Sequence, residues 1–366
     1  MSAFTLNLGP HRYLKGAGLV NTLPEILAPY GKRTFVLFDP LMRRRYGERV
    51  ETILKRGGLD ATLGALERNC CVEEGKAWVD RFGETPPDSV VGLGGGKAID
   101  LAKWIAFTLG RPFIAVPTST ATCAAVTGIS PLYTPEGIYR HTVPTAQPVA
   151  TLVDADIVLT QPARLLAAGM ADSMAKWIEA KGMRKQHHKR ILSASALSLA
   201  RLIYEFLARK GTRAMEDLQR GAWTETLSEA VDICLLTTGL VSTLGGKKVR
   251  VSAAHAFQDA FIGLGSKKDV LHGELVAFGI LVQLVLEKVS ESLIHRHLIL
   301  FSRWGLPLTL DALGIDPGVD YFEAGLARML GETSPIHNLV IPVTASQVRE
   351  AIMKADAMGK RYLALA

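Results

Sequence analysis

The sequence predicts an α/β protein of two domains, in which a doubly wound parallel sheet comes first and an all-α domain follows. Two observations support this prediction. Residues 1–160 alternate short apolar runs with helical segments, whereas residues 161–366 show helical periodicity. The pattern changes at Thr160-Gln161-Pro162, a helix-start signal with proline in the first turn. We therefore expect an α/β domain at 1–160 and a helical domain at 161–366.

The first domain repeats the spacing of strand, helix and strand. Each predicted strand is a short apolar run, and helical periodicity fills the intervals between runs. In such a sheet the ligands bind at the carboxyl ends of the strands. The predicted strands are 13–16, 34–38, 61–66, 89–93, 113–116 and 149–153, the predicted helices are 19–27, 42–56, 73–82 and a segment from 98, and residues 129–141 form a predicted β-hairpin.

A run of three glycines ends the strand 89–93. Gly94, Gly95 and Gly96 are followed by Lys97 and then by a helical pattern. Glycines let an anion approach the backbone closely, and the N–H groups at a helix start point towards it. The stretch therefore predicts a phosphate or pyrophosphate site, with an ordinary βα turn as the alternative. It matches neither G-x-x-x-x-G-K-[ST] nor a G-x-G-x-x-G in the first βα unit.

Two other strand ends carry polar residues. Asp39 follows the strand 34–38, where a carboxylate can accept both ribose hydroxyls of an adenosine and favours NAD over NADP. Asp39 could instead cap the helix that begins at Pro40, and the arginines at 43–45 could hold a 2′-phosphate. The third end, Pro117 to Cys123, is rich in hydroxyls that can bond phosphate or ribose.

Composition excludes several classes of protein. The chain has 366 residues, 48% of them hydrophobic and 21% charged, which is typical of a globular protein with a large core. Its net charge of +7 is spread over short clusters without interleaved aromatics, so we expect no nucleic-acid partner. No apolar run reaches the length of a bilayer, and no export signal precedes the four cysteines. We expect a cytoplasmic protein with reduced thiols and no membrane partner.

The second domain contains most of the candidate metal ligands. Among nine histidines, His255 lies between small residues of a buried-looking helix, and His272 precedes a strongly apolar helix. Asp172 is also a polar residue among small apolar ones. One carboxylate and two imidazoles suit zinc or ferrous iron, although satisfied core residues would give the same pattern. The predicted helices are 163–181, 190–210, 225–240, 249–262, 273–289 and 345–357, and the histidines set aside as ligands are His187, His188, His295 and His297.

Six motifs then occur in a fixed order over nearly the whole chain. They are Gly94-Gly95-Gly96-Lys97-x-x-Asp100-x-Ala102-Lys103, Val116-Pro117-Thr118, Ala168-Gly169-x-x-Asp172-x-x-Ala175-x-Trp177-x-Glu179-Ala180, Ala253-Ala254-His255-Ala256, His272-Gly273-Glu274-x-Val276-Ala277-Phe278-Gly279, and Ile336-His337-Asn338. Each motif alone is weak, but the combination is specific. In this order they resemble glycerol dehydrogenase and its relatives in the iron-containing alcohol dehydrogenase superfamily.

The resemblance implies a Rossmann-like dinucleotide-binding domain and a helical metal- and substrate-binding domain, in a dehydroquinate synthase-like architecture. It implies that Asp172, His255 and His272 bind a catalytic divalent metal, zinc in glycerol dehydrogenase, with iron, manganese or nickel as alternatives. It also implies NAD or NADP as cofactor, a small-molecule substrate and a homo-oligomer. The nucleotide contacts that it implies are Asp39, Gly94, Gly95, Gly96, Lys97, Thr118, Thr127, Ile129 and Tyr133.

Two positions depart from the glycerol dehydrogenase pattern. Cys123 stands where that family has a substrate-contacting aspartate, and Lys176 stands where iron-type relatives have an additional histidine ligand. If both side chains face the pocket, it becomes more positive and favours an anionic substrate. This pattern is similar to the hydroxycarboxylate dehydrogenase branch, which reduces 2-oxo acids, although Val126 replaces the tryptophan expected there.

We therefore expect an oxidoreductase that transfers a hydride between NAD(P) and a polyol or a 2-hydroxy acid, with Asp172, His255, His272, Lys176 and Cys123 at the catalytic centre. Two other functions share the architecture. A dehydroquinate synthase-like cyclase would need more lysine and arginine around the metal and a glutamate in place of Asp172. A relative without catalytic activity is the second alternative.

Overall fold

A computed structural model describes residues 6–183, 190–246, 251–263 and 269–365. The chain divides into two compact units, Met1–Gln161 and Pro162–Ala366. His187 and His188, the basic pairs at 184–185 and 247–248, and the first five residues lie outside the described ranges. Each unit is described below by itself.

The first unit is built on a six-stranded parallel sheet. Its order is β1-β8-β5-β4-β2-β3. These strands are β1 (Tyr13–Gly16), β2 (Arg33–Phe38), β3 (Asp60–Ala65), β4 (Ser89–Gly94), β5 (Phe113–Pro117) and β8 (Ala150–Asp154), and a separate antiparallel hairpin joins β6 (Ile129–Tyr133) to β7 (Tyr139–Pro144).

Continuous apolar runs form the middle of this sheet. Every residue of β4, β5 and β8 is buried, as expected for parallel strands that are covered on both faces. The helices that connect the strands are α1 (Leu23–Leu27), α2 (Pro40–Arg56), α3 (Val72–Phe82), α4 (Gly96–Leu109) and α5 (Ala155–Val158). The predicted parallel α/β fold is confirmed, with most predicted ends within two residues of the observed ones.

The second unit is helical in its described part. Its helices are α6 (Ala163–Lys181), α7 (Ile191–Gln219), α8 (Glu225–Asp232), α9 (Thr238–Gly245), α10 (Ala253–Phe261), α11 (His272–Leu286), α12 (Glu291–Arg303), α13 (Asp320–Met329) and α14 (Ala345–Leu365). A π-helical turn, Ile233–Thr237, joins α8 to α9. Because this turn continues the helical rise, the sequence pattern predicted one helix there.

Two helical stretches of this unit are both long and apolar. Ile191–Gln219 and Glu225–Gly245 are long and apolar enough to cross a membrane by length and composition alone. The sequence prediction, which considered uninterrupted apolar runs, found no such segment. Because core helices of soluble proteins meet the same criteria, these two helices are weak evidence for a membrane protein.

Candidate active site

Three helices of the second unit meet where two glycines allow close contact. A Cβ at Gly273 of α11 would lie 2.0 Å from the carbonyl oxygen of Ala168 on α6, and one at Gly279 would lie 2.4 Å from that of Ala254 on α10. Glycine is therefore required at both positions for α11 to pack this closely. This packing places His272, the first residue of α11, beside the side chains of α6 and α10.

The structure brings Asp172, His255 and His272 together. His255 Nε2 lies 3.1 Å and His272 Nε2 lies 3.8 Å from the same oxygen of Asp172, Oδ1. One ligand atom from each residue lies within 4.8 Å of the other two. Ligands about 2.0–2.2 Å from a tetrahedral zinc ion are separated by about 3.3–3.6 Å. The three side chains of the described part of the chain therefore offer one carboxylate oxygen and two imidazole nitrogens to a divalent cation.

Glu179 fixes the orientation of His255. The Nδ1–H of His255 donates to Glu179 Oε2 at 2.6 Å, so that Nε2 is the nitrogen turned towards Asp172. The other oxygen of Glu179 accepts the backbone N–H of Ser252 at 2.7 Å and that of His255 at 3.0 Å. A carboxylate behind a ligating imidazole is the usual arrangement at metal sites. Glu179 therefore holds both the ring and the start of α10.

Lys176 lies within the same cluster. Its ammonium donates to Asp172 Oδ1 at 2.8 Å and lies 3.1 Å from His255 Nε2. The side chain is only 5% exposed, so its charge depends on Asp172 for compensation. Four residues separate Lys176 from Asp172 on α6, which places both side chains on one helix face. The structure therefore brings this predicted catalytic residue to the candidate metal ligands.

The charges of the cluster shift the pKa values of its members. Burial would raise the pKa of Asp172, but the ammonium of Lys176 and hydrogen bonds from the two imidazoles hold it well below the ordinary value. Burial would also lower the pKa of His255, yet the carboxylates of Glu179 and Asp172 outweigh burial and raise it to about 9. Asp172 is therefore ionised at neutral pH and suited to a cation.

A second carboxylate orders the start of α11. Glu274 accepts the backbone N–H of Leu271 at 2.8 Å and pairs with Arg164 through both oxygens, at 2.5 and 2.7 Å. Its side chain is buried, at 7% exposure. Bidentate pairs of this kind fix geometry strongly. Because His272 lies between Leu271 and Glu274, this network also fixes the backbone of that candidate ligand.

In the first unit, the carboxyl ends of β2 and β4 form a candidate nucleotide site. From β2 the chain proceeds outward to β3, and from β4 it proceeds in the opposite direction to β5 and β8. Ligands of open α/β sheets bind at such a reversal of strand order. Asp39 directly follows β2, and Gly94 ends β4. The topology therefore places both predicted nucleotide contacts at the expected position.

Asp39 combines its two predicted roles in one geometry. Its Oδ1 accepts the N–H of Met42 at 2.9 Å and so caps α2, while its Oδ2 accepts the N–H of Gly95 at 3.2 Å. The helix-cap alternative is therefore observed, and the carboxylate also lies beside the glycine run as a ribose contact requires. A cap and a ribose acceptor are compatible, because each carboxylate oxygen accepts two hydrogen bonds.

The three glycines have different surroundings. A Cβ at Gly94 would lie 2.9 Å from that of Ala98 and 3.0 Å from Asp39 Oδ2, and one at Gly96 would lie 2.7 Å from Thr122 Oγ1. Packing therefore requires glycine at both positions. A Cβ at Gly95 would meet nothing within 4 Å, and its φ of −75° suits any residue. The backbone at the start of α4 is therefore open beside Gly95, as an approaching anion would require.

Two pairs of the other predicted nucleotide contacts are close to each other. The Thr118 N–H donates to Gly94 O at 3.1 Å, and the ammonium of Lys97 lies 5.7 Å from the ring centre of Tyr133. Thr118 and Thr127 are buried, and Ile129 is partly buried at the start of β6. Cys123 precedes a 3₁₀ turn, Ala124–Val126, in the same unit. The structure thus brings Thr118 to Gly94 and Lys97 to Tyr133.

Three arginines offered the alternative of a 2′-phosphate site. The guanidinium carbon of Arg43 lies 5.9 Å from the ring centre of Phe38, and the side chain also covers Gly47. Arg44 and Arg45 are exposed on α2.

Two residues of the sites were not singled out from the sequence. Glu179 was part of a motif, but its role behind His255 depends on the approach of α10 to α6. Lys103, also part of a motif, is wholly buried, and its ammonium donates to Asp100 on its own helix and to two carbonyls of residues 124–129. Only the appearance of a charged residue inside an apolar helix pattern could have indicated either one.

Comparisons with known proteins agree with this geometry. Residues 10–155 match the family model described as iron-containing alcohol dehydrogenase. The chain is 33% identical over 363 residues to a glycerol dehydrogenase of Thermotoga maritima, covering 97% of this chain and 98% of that protein. It is 29% identical over 362 residues to hydroxycarboxylate dehydrogenase A of Escherichia coli, covering 96% and 97% of the two chains.

The comparison with solved structures also finds a glycerol dehydrogenase. A crystal structure of a probable glycerol dehydrogenase from Sinorhizobium meliloti superposes with a TM-score of 0.86 at 29% identity, covering 98% of this chain and 100% of that one. The relatives are soluble enzymes, which agrees with a soluble protein whose long apolar helices pack within its own helical unit. The chain belongs to the iron-containing alcohol dehydrogenase family of oxidoreductases, among the glycerol dehydrogenase-like members.

Proposed function

We propose that this enzyme interconverts a small 2-hydroxy acid and its 2-oxo acid, with NAD as the hydride carrier and a divalent metal, zinc, at the catalytic centre. The observation that carries the proposal is the convergence of Asp172, His255 and His272 on one point, with Lys176 beside them. The family supports a metal-dependent, NAD-linked dehydrogenase, and the choice of substrate, metal and cofactor rests on the residues of this chain.

Asp172, His255 and His272 would hold the metal through one carboxylate oxygen and two Nε2 atoms. When bound, the ion acts as a Lewis acid that polarises the substrate carbonyl and lowers the pKa of the alcohol. Glu179 accepts a hydrogen bond from Nδ1 of His255, so that Nε2 would be the nitrogen that binds the metal. Low exposure of Asp172 and His255 keeps bulk water from competing at this point.

The first unit binds the other reactant, the dinucleotide. The glycine run and the start of α4 bind the pyrophosphate of the dinucleotide, and the carboxylate of Asp39 accepts the hydroxyls of its ribose. A 2′-phosphate would be repelled by Asp39, which is the argument for NAD. The cofactor then supplies the hydride, while the protein supplies orientation and electrostatic field.

Lys176 supports an acid as the substrate. A buried ammonium next to the candidate metal ligands offers an ionic partner to a substrate carboxylate, and a neutral triol has no such group. The carboxylate of a 2-oxo acid would pair with Lys176 while its carbonyl oxygen faces the ligand triad. Cys123 stands where glycerol dehydrogenase has an aspartate that contacts the substrate, and it carries no carboxylate. Both residues therefore act in the same direction.

A neutral polyol such as glycerol is the second candidate substrate. The glycerol dehydrogenases among the relatives favour it, and Val126 departs from the hydroxycarboxylate branch. A cyclase without net oxidation is a weaker candidate, because it would need a denser set of basic residues around the triad. We also propose a cytoplasmic homo-oligomer, with a small-molecule substrate and no nucleic-acid or membrane partner.

One set of assays separates these functions. The purified protein is loaded with zinc or manganese and mixed with NADH or NADPH and either pyruvate or dihydroxyacetone, and absorbance at 340 nm is followed. We expect NADH oxidation with a kcat/KM for pyruvate at least about tenfold above that for dihydroxyacetone. A preference for dihydroxyacetone would replace the acid by the polyol. Turnover of neither would favour the cyclase or the non-catalytic alternative.

A further inference from the structure

Lys103 is a fully buried lysine on α4 that the proposed reaction does not use. Its ammonium donates to Asp100 Oδ1 at 2.9 Å and to the carbonyl oxygens of Ala124 and Ile129, both at 2.8 Å. An ammonium has three N–H donors, so each donor has one acceptor. The side chain thus joins α4 to two points on another segment of the same unit.

That segment, residues 124–129, is fixed along its whole length. Besides the two bonds from Lys103, the hydroxyl of Thr151 on β8 donates to Ala125 O at 2.6 Å, and the N–H of Thr145 donates to Gly128 O at 2.8 Å. Immediately after it, the hydroxyl of Ser130 donates to the carbonyl of Asp100 at 2.9 Å. Segment 124–129 includes Thr127 and Ile129, both proposed nucleotide contacts, so its position decides where they lie.

Stability alone does not explain a lysine at this position. Removing an ammonium from water is costly, and well-packed apolar residues replace buried ion pairs with little loss or with a gain in stability. Two of the three acceptors are backbone carbonyls, which set the distance between α4 and segment 124–129 to within a hydrogen bond. The geometry is therefore the feature that an apolar side chain would not reproduce.

We propose that Lys103 is a positioning residue for dinucleotide binding. It holds segment 124–129 at a fixed distance from α4, whose first turn receives the pyrophosphate, so that two parts of the nucleotide site keep one geometry. The inference rests on the proposed function, because Thr127 and Ile129 are nucleotide contacts only if the enzyme binds NAD.

The test uses the metal-loaded enzyme and NADH as the probe. Lys103→Met alone would leave the buried carboxylate of Asp100 without its partner, so the variant is Lys103→Met with Asp100→Asn. The matched control is Arg33→Met with Asp88→Asn, which removes another ion pair of the same unit, 2.8 Å long, at the amino ends of β2 and β4. For both variants and the wild type, NADH affinity is measured by fluorescence titration, together with Tm and metal content.

We expect the Lys103/Asp100 variant to raise the Kd for NADH at least about tenfold, with metal content unchanged and Tm within about 4 °C of the wild type. The control should keep the wild-type Kd. An NADH affinity within about twofold of the wild type in the Lys103/Asp100 variant would overturn the proposal. If both variants bind NADH more weakly in proportion to their loss of Tm, the role of Lys103 is structural and the proposal is overturned too. Wild-type protein that binds no NADH would overturn the proposed function as well.

Discussion

Lys176 and His255 both lie against the same carboxylate oxygen, Asp172 Oδ1, and their own nitrogens are 3.1 Å apart. An ammonium thus occupies the immediate surroundings of the three candidate metal ligands. Removing this charge should alter the preference for anionic substrates more than it alters the fold.

Lys176→Ala should raise KM for a 2-oxo acid at least about tenfold more than KM for a neutral polyol, because only the acid loses an ionic partner. Steady-state kinetics with pyruvate and dihydroxyacetone measure both values. Lys181→Ala is the matched control, since Lys181 is exposed near the end of the same helix. Equal effects of Lys176→Ala on the two substrates would contradict an anion-selective role.

Glu179→Gln should weaken metal binding by about 10- to 100-fold, because an amide holds the Nδ1 proton of His255 less well than a carboxylate does. A competition titration with a zinc chelator gives the affinity. The control is Glu287→Gln, in which a glutamate next to Gln283 at the end of α11 loses its charge without contact with His255. Unchanged zinc affinity in the Glu179 variant would show that the ring needs no such support.

Gly95→Ala should weaken NADH binding, whereas Gly94→Ala should lower the stability of the fold. A methyl group at Gly95 meets no protein atom, so Tm should stay near that of the wild type while the Kd for NADH rises at least about tenfold. A methyl group at Gly94 clashes with Ala98 and Asp39, so this variant should lose stability. Thermal melts and NADH titrations separate the two effects. Full NADH affinity in Gly95→Ala would mean that no ligand uses this space.

The ion pair between Arg33 and Asp88 should make stability depend on acid pH. Hydrogen bonds and charge from Arg33 lower the pKa of Asp88 to about 2, below its value in the unfolded chain. A group with a lowered folded pKa contributes stability above its unfolded pKa and loses it as pH falls towards about 2. Asp88→Asn should therefore flatten the fall of Tm between about pH 4 and pH 2. An identical pH profile for both proteins would count against the shift.

The sequence predicted the fold well where local pattern determines structure. The apolar runs of β2, β4 and β5 and the glycine run before α4 were recognisable because strand burial and turn geometry depend on neighbouring residues. Helix α13 was not predicted, since its short amphipathic pattern is interrupted by Gly325. That glycine is needed because a Cβ there would lie 2.4 Å from the ring of Phe261, which no local pattern shows.

For the candidate site, too, local pattern was predictable and contacts between distant segments were not. Asp172, His255 and His272 were chosen from the sequence by their setting among small residues and by the family motifs. Their convergence, however, depends on how closely α11 packs at Gly273 and Gly279. The roles of Glu179 and Lys103 were not predicted, because a buried charge is explained only by partners from distant segments. For Asp39, the sequence left a helix cap and a ribose contact open, and the geometry accommodates both.

The metal content of His272→Ala, beside that of the wild type and of His295→Ala, tests the proposed centre most directly. His295 is an exposed histidine of α12 that contacts the ring of Tyr362 instead of the triad. After equilibration with zinc and gel filtration, elemental analysis should find about one zinc ion per chain in the wild type and the His295 variant, and much less in the His272 variant. Equal zinc in all three proteins, or none in the wild type, would contradict a metal centre built from Asp172, His255 and His272.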